Sequence, residues 1–363
     1  MNQTERNARR QMLARKLRAV IEGPHVLSTQ QELKPYECDG LSAYRVVPLL
    51  VVLPASVEEV QSVLTITHTD NVAVVALGAG TGLSGGALPH EDGVLLSLAR
   101  LNRILSVEPD NCRARVQPGV RNLAISEAAR PHGLYYAPDP SSQIACTIGG
   151  NVAENAGGVH CLKYGLTVNN LLAVEMVTIE GELVTLGGGG LDGPGYDLLA
   201  LATGSEGMLG VVVEVTVKLL PIPQRAQVAL AAFDEVETAG RAVADIIAAG
   251  ILPAGLEMMD NPSLRAAEDF VHAGYPTDAA AILLCEVDGG NEEVSEDIAK
   301  VRQRLLESGA REVRTANDEA ERARIWAGRK AAFPAVGRIS PDYYCMDGTI
   351  PRKHLPRVLR EIA

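Results

Sequence analysis

Aromatic side chains are scarce: one Trp, three Phe and nine Tyr make up 4% of the 363 residues. A core built without them is aliphatic, which suits sheets packed under helices. Long apolar runs are missing too. The longest, VVPLLVVLPASV at 46–57, is broken by Pro48 and Pro54, and a bilayer crossing needs about 20 apolar residues. The N-terminal stretch MNQTERNARRQMLARKLRAVI has basic residues but no compact apolar segment or small-residue cleavage site. It reads as an amphipathic helix, not a signal peptide. The six cysteines (Cys38, Cys112, Cys146, Cys161, Cys285, Cys345) include no close pair. Such spacing excludes a disulfide frame, an iron–sulfur centre and a structural zinc site, and fits reduced thiols in a cytoplasmic protein. A formal net charge of -12 argues against nucleic acid and against a basic membrane-binding face.

What is present is an apolar fraction of 47% in a chain of two-domain length. The patterning predicts an N-terminal helical segment over 1–44, a first domain over 45–224 and a second over 225–363. In the first, strands and helices alternate: a strand in RVVPLLVVLP, a capped helix in SVEEVQSVLTITHTDN, a strand in VAVVALG. Further strands, a helix in RNLAISEAARPHG and a hairpin turning at Glu180-Gly181 follow. The stretch 137–165 is rich in Pro, Gly, Asn and Ser and reads as a long functional loop. The run at 187–190 reads as a flexible connection without chemistry. After the prolines at 221 and 223 the order is strand (226–233), helix (235–250), strand (253–260), helix (262–273), strand (280–288), helix (291–308), strand (310–315), helix (317–332), strand (343–350), then the start of a helix. That order predicts an α+β domain, a mostly antiparallel sheet with helices on one face.

In ALGAGTGLSGGALP, five glycines fall within nine positions (Gly78, Gly80, Gly82, Gly85, Gly86). Each costs roughly 0.5–1 kcal/mol against alanine in an ordered segment, so something there needs bare backbone. The dinucleotide fingerprint G-x-G-x-x-G fails at Leu83, and a Walker loop lacks its lysine because Gly86 follows Gly85. Both motifs also open a helix, whereas this loop runs through Pro89 towards another strand. What remains is a nest of main-chain N–H groups for an anion such as a diphosphate, or a mobile turn. Two more stretches share the grammar: TIGGNVAENAGG and TGSEGMLGVVVEV. Three in one domain disfavour the mobile turn.

Together GAGTGLSGG, APDPSS, TIGGNVAENAGG, KYG and GSEGMLGVV resemble the FAD-binding domain of the vanillyl-alcohol oxidase type. The nearest group is that of FAD-linked glycolate oxidase subunits, with D-lactate and D-2-hydroxyglutarate dehydrogenases. The resemblance runs from about Tyr36 to the last residue. It implies a fold class of α+β: a two-subdomain FAD-binding domain of the PCMH type, followed by a ferredoxin-like FAD-linked oxidase C-terminal domain that is incomplete here. The family's first loop wraps the FAD diphosphate, a role that falls on Gly78, Ala79, Gly80, Thr81, Gly82 and Leu83. Pro138, Asp139, Ser141, Ser142, Thr147, Gly150, Asn151, Asn155, Gly157 and Gly158 match the loop beside the flavin ring and diphosphate. Glu206, Gly207, Val211 and Val212 match the segment near the adenine. Some relatives tether the flavin through a first-loop histidine; here none precedes His90, so the resemblance implies non-covalent FAD.

The implied reaction is oxidation of a small (R)-2-hydroxy acid to the 2-oxo acid, with hydride passing to flavin N5. Arg329, in IWAGRKAAF, matches the family's carboxylate-binding arginine. Cys345, in DYYCMDGTIP, stands where some relatives have lysine, which points to a monocarboxylate such as glycolate or D-lactate. Electrons would pass to iron–sulfur and FAD-binding partner subunits and to quinone, at the inner face of the membrane. Two family motifs that hold a divalent metal and a general-base histidine are absent from this sequence, and the end at Ala363 is expected to be a truncation. Two alternatives stay open: a FAD-binding scaffold without catalysis, and a flavin oxidase of alditols or phenols.

Overall fold

The computed structural model describes residues 3–189, 195–340 and 344–362. They form two compact units, one of 1–158 with 165–222, the other of 159–164 with 223–363.

The first unit begins with helix α1 (Gln3–Leu17), then β1 (Val26–Leu27), α2 (Gln30–Leu33), β2 (Leu50–Val52), α3 (Val57–Thr69), β3 (Val74–Leu77) and β4 (Val94–Ser97). Ser56 starts α3 by accepting the Glu59 N–H at 3.3 Å, as its position before an acidic first turn predicts. The strands form a sheet ordered β1-β2-β4-β3, with β2, β4 and β3 parallel and β1 antiparallel. Leu13 and Leu17 of α1 share a core with Val60, Val63 and Leu64 of α3 and with Leu50, Val52, Val94 and Leu96 of the sheet. The N-terminal helix is therefore an integral layer of this unit.

The chain continues through β5 (Ile104–Glu108), β6 (Arg113–Val116), α4 (Asn122–Ala129), β7 (Leu134–Tyr135), α5 (Ile148–Glu154), α6 (Cys161–Tyr164), β8 (Leu171–Val177), β9 (Leu183–Gly187), α7 (Leu198–Ala202), β10 (Val211–Lys218) and β11 (Leu220–Pro221). An antiparallel sheet ordered β5-β6-β10-β8-β9 results, with β7 and β11 paired apart from it. Helix α5 stands inside the stretch that the sequence presents as loop. A Cβ on Gly149 would lie 2.6 Å from the Pro118 ring, so glycine lets α5 press onto that proline. Ile148 and Val152 then reach the core of the antiparallel sheet.

In the second unit, to which α6 belongs, come β12 (Arg225–Phe233), α8 (Val236–Ala248), β13 (Gly255–Asp260), α9 (Asn261–Val271), β14 (Ala281–Gly289), α10 (Asn291–Glu307), β15 (Glu312–Thr315), α11 (Glu319–Lys330), α12 (Ala332–Ile339) and α13 (Leu355–Ile362). The sheet is antiparallel, ordered β13-β14-β12-β15. Helices cover both of its faces, not one as expected. Ala229, Ala231 and Phe233 pack under α8 and α10; Val228, Leu230 and Ala232 pack with Leu264 of α9 and Ile325 and Trp326 of α11. Two-sided burial explains why VALAAF and AILLCEV are continuous apolar runs and not alternating ones. The strand expected at 343–350 is not formed over 344–350; Tyr343 and Gly190 fall outside the described residues.

Candidate functional site: a glycine-walled cavity in the first unit

Strand β3 ends at Leu77, and no regular element resumes until β4 at Val94. The intervening glycine loop walls a cavity of about 320 Å³ with Ser142, Thr147, Gly150, Asn151, Glu206 and Gly207 opposite. Gly78, Ala79, Gly80, Thr81, Gly82 and Leu83 all line it. Among the described residues, the main-chain N–H groups of Gly80, Thr81, Gly82 and Leu83 donate to no protein acceptor. Gly78 is required by close approach: a Cβ there would sit 2.4 Å from Thr147 Oγ1. That hydroxyl is buried without a hydrogen-bond partner, although Thr147 occupies the N-cap position of α5. An unpaired buried polar atom costs roughly 1–3 kcal/mol. Such a wall of unengaged donors accepts an anion with several oxygens.

Three connections hold the wall in place. Asn151 Nδ2 donates to Asn122 Oδ1 at 2.8 Å, and Asn122 Nδ2 donates to the Pro138 carbonyl at 2.9 Å. The N–H groups of Gly204 and Glu206 each donate at 2.8 Å to carbonyls in the last turn of α5, those of Val152 and Ala153. Asp39 binds the far end of the loop: its carboxylate accepts from Leu41 N–H at 2.9 Å and Ala87 N–H at 3.4 Å. Gly40 closes in behind, where a Cβ would meet the Gly82 carbonyl at 2.7 Å.

Not every residue singled out in the sequence reaches this cavity. Asp139 lies against Gly158, whose Cβ would come within 2.4 Å of the Asp139 carbonyl. Asn155 caps α5 in the left-handed region (φ 52°) and accepts the Val168 N–H at 3.0 Å. Ser141 is exposed, and Gly157 half-buried, outside the lining. Val211 and Val212 are buried in β10, paired with Val177 and Met176. Conversely, Asp39, Cys146 and Glu154 line the cavity and were missed in the sequence. The Asp-Gly pair at 39–40 was the available signal for the first. The Cys146 thiol is pushed up by burial and stays protonated.

Arg329 belongs to the second unit, on α11. Its Nη2 and Nε contact Glu257 Oε2 of β13 at 2.8 and 2.9 Å, and its side chain is 25% exposed. The same helix carries two further partners of a strand carboxylate. Arg322 Nη1 donates to Glu286 Oε2 at 2.8 Å, and the Trp326 indole N–H donates to the same oxygen. His160 Nε2 lies 3.1 Å from Glu286 Oε1, while Lys163 and Tyr164 bind the Asp288 carboxylate at 2.6 and 2.7 Å. Burial alone would raise the Glu286 carboxyl, but the His160 contact and the Arg322 charge hold it below the usual carboxylate range. His160, Glu286 and Arg322 were not found in the sequence, because β14 reads simply as apolar.

The residues present fit FAD, on three observations: unengaged amides, an unpaired buried hydroxyl, and a glycine, Gly78, whose Cβ would press on that hydroxyl. Comparison with known proteins agrees. Residues 48–187 match the FAD binding domain, and 222–363 match the C-terminal domain of FAD linked oxidases. The chain is 69% identical over 347 residues to the glycolate oxidase subunit GlcD of Escherichia coli K12, covering 96% of this chain and 70% of that one. To the GlcD subunit of Bacillus subtilis it is 39% identical over 328 residues, 90% of this chain and 70% of the other. Among solved structures, an alkyldihydroxyacetonephosphate synthase superposes with TM-score 0.79 at 20% identity, over 97% of this chain and 74% of that one, which bears on the fold alone. The chain belongs to the FAD-linked oxidases, in the family that contains the GlcD subunits of glycolate oxidase.

Proposed function

We propose that this protein oxidises a small 2-hydroxy acid, glycolate or D-lactate, to the 2-oxo acid with non-covalently held FAD. The observation that carries the reading is the row of unengaged amides at Gly80–Leu83 inside the FAD-binding match. These donors would take the diphosphate oxygens, and the Thr147 hydroxyl would add a fifth. Bound FAD supplies a two-electron acceptor that no amino-acid side chain offers. Arg329 is assigned to the substrate carboxylate, for which a guanidinium gives a planar, always-charged partner. Glu257 holds that guanidinium, so the substrate must share it with, or take it from, an internal carboxylate. The absence of a histidine between Gly78 and Pro89 supports non-covalent attachment. The relatives are named as subunits, which supports a partner protein in a complex; an iron–sulfur partner as the electron acceptor is part of the proposal.

Anaerobic addition of glycolate or D-lactate to the yellow protein tests this. The visible flavin band should bleach; a band unmoved by either acid, yet bleached by an alditol or a phenol, rejects the substrate class.

A further inference from the structure

We infer that FAD binding at this cavity takes up a proton at Glu154, so that the affinity for the dinucleotide rises as the pH falls. The inference rests on the reading of the cavity as the FAD site. Its ground is a mismatch of charge: the lining contains three carboxylates, Asp39, Glu154 and Glu206, and no Lys, Arg or His. A doubly anionic diphosphate would therefore be received by neutral amides with negative side chains around it.

The three carboxylates are not equivalent. Asp39 is buried and already accepts two main-chain N–H groups, so its charge is compensated by the loop that it supports. Glu206 and Glu154 are both exposed as residues, but Glu206 sits on backbone with φ 52°. Glu154, the last residue of α5, leans over the glycine loop itself. Its Oε1 lies 2.6 Å from where a Cβ on Gly86 would be and 3.8 Å from the same point on Gly82. Its Oε2 accepts a single hydrogen bond, from Ser84 Oγ at 3.2 Å. The charged groups facing it are Glu206, whose Oε2 is 3.6 Å from the same point on Gly86, and Asp39. The remaining titratable neighbour in the wall, Cys146, is neutral. Although the residue is exposed, partial desolvation of its carboxylate, then the charges of Glu206 and Asp39, push Glu154 above the usual carboxylate range against the bond from Ser84.

A diphosphate on the adjacent amides adds negative charge beside Glu154 and raises its pKa further. Linkage then fixes the sign. Where the bound state holds one more proton than the free state, each pH unit upward weakens binding by up to tenfold. The dependence flattens below the free-state pKa and above the bound-state pKa.

The test is a titration of flavin-stripped protein with FAD, followed by flavin fluorescence, across about pH 5 to 8. Calorimetry in two buffers of different ionisation enthalpy counts protons directly. Expected is up to one proton taken up by the wild type, a Kd that increases with pH, and a Glu154→Gln protein whose Kd is tighter at the alkaline end and nearly flat. Glu206→Gln should keep the slope. A slope that persists in Glu154→Gln, or disappears only in Glu206→Gln, overturns the assignment, as does FAD binding by the wild type without pH dependence. Failure of the wild type to bind FAD at any pH would instead remove the dinucleotide reading on which this one stands.

Discussion

Thr147 and Gly78 carry the site at the scale of single residues. The hydroxyl is unpaired and the glycine faces it at a distance that leaves no room for a side chain. Gly78→Val should therefore abolish FAD binding while far-UV circular dichroism stays that of the wild type. Retained flavin in that variant would refute the geometry of the wall. Thr147→Val removes one donor at nearly constant volume, and a lost hydrogen bond of this kind weakens binding by about 0.5–1.5 kcal/mol, roughly 2- to 12-fold in Kd. For Arg329→Met, kcat/KM should fall roughly 10- to 100-fold, the worth of a hydrogen bond to a charged group, with flavin content unchanged. The glycines were legible because each one departs from ordinary strand or helix composition. Asp39 and Glu154 were not: both are common surface types, and only the fold brings positions 39, 86 and 154 to one cavity.

On the scale of elements, α11 and β14 form a ladder of charge. Arg322 and Trp326 meet Glu286, and Arg329 meets Glu257 on the neighbouring strand. A carboxyl held below its unfolded value contributes stability that is present above that value, about pH 4.3 for glutamate, and is lost as pH falls through the folded one. Replacing Glu286 by Gln should thus lower the stability of the second unit at neutral pH, make it depend less steeply on pH and move its acid unfolding to higher pH. Breaking a buried pair from one side costs about 3–5 kcal/mol. Trp326 is the chain's single tryptophan and is buried against this pair, so its emission reports the transition. An unaltered acid midpoint would show that Glu286 is not the responsible group. Element types here were readable from periodicity, from Ser56 before α3 to the apolar strands β12 and β14. Helix α5 was not, because two adjacent glycines oppose a helix by propensity; its contact with Pro118 decides the matter. The two-sided cover of β12 and β14 was present as an unbroken apolar run, a signal of burial on both faces.

For the whole molecule, the informative feature is connectivity. The chain leaves the first unit at 158, contributes 159–164 to the second, returns at 165 and leaves again after 222. A polypeptide starting at 223 would lack His160, Lys163 and Tyr164, and would leave Glu286 and Asp288, 2% and 7% exposed, short of partners. Its Trp326 emission should show a less stable fold than the same unit has in the full chain, and equal stability would contradict the role given to that segment. Sequence patterning sets 1–44 apart and places a boundary at 224; the six-residue exchange between units has no signature in composition.

Everything functional follows from a dinucleotide resting on the glycine loop, and flavin content measures this most directly. Protein purified by mild methods should be yellow and release about one FAD per chain on acid precipitation; with FAD restored at about 100 times Kd it should gain roughly 2.7 kcal/mol of stability. A colourless protein that neither quenches added FAD nor unfolds at a higher temperature in its presence would contradict the account.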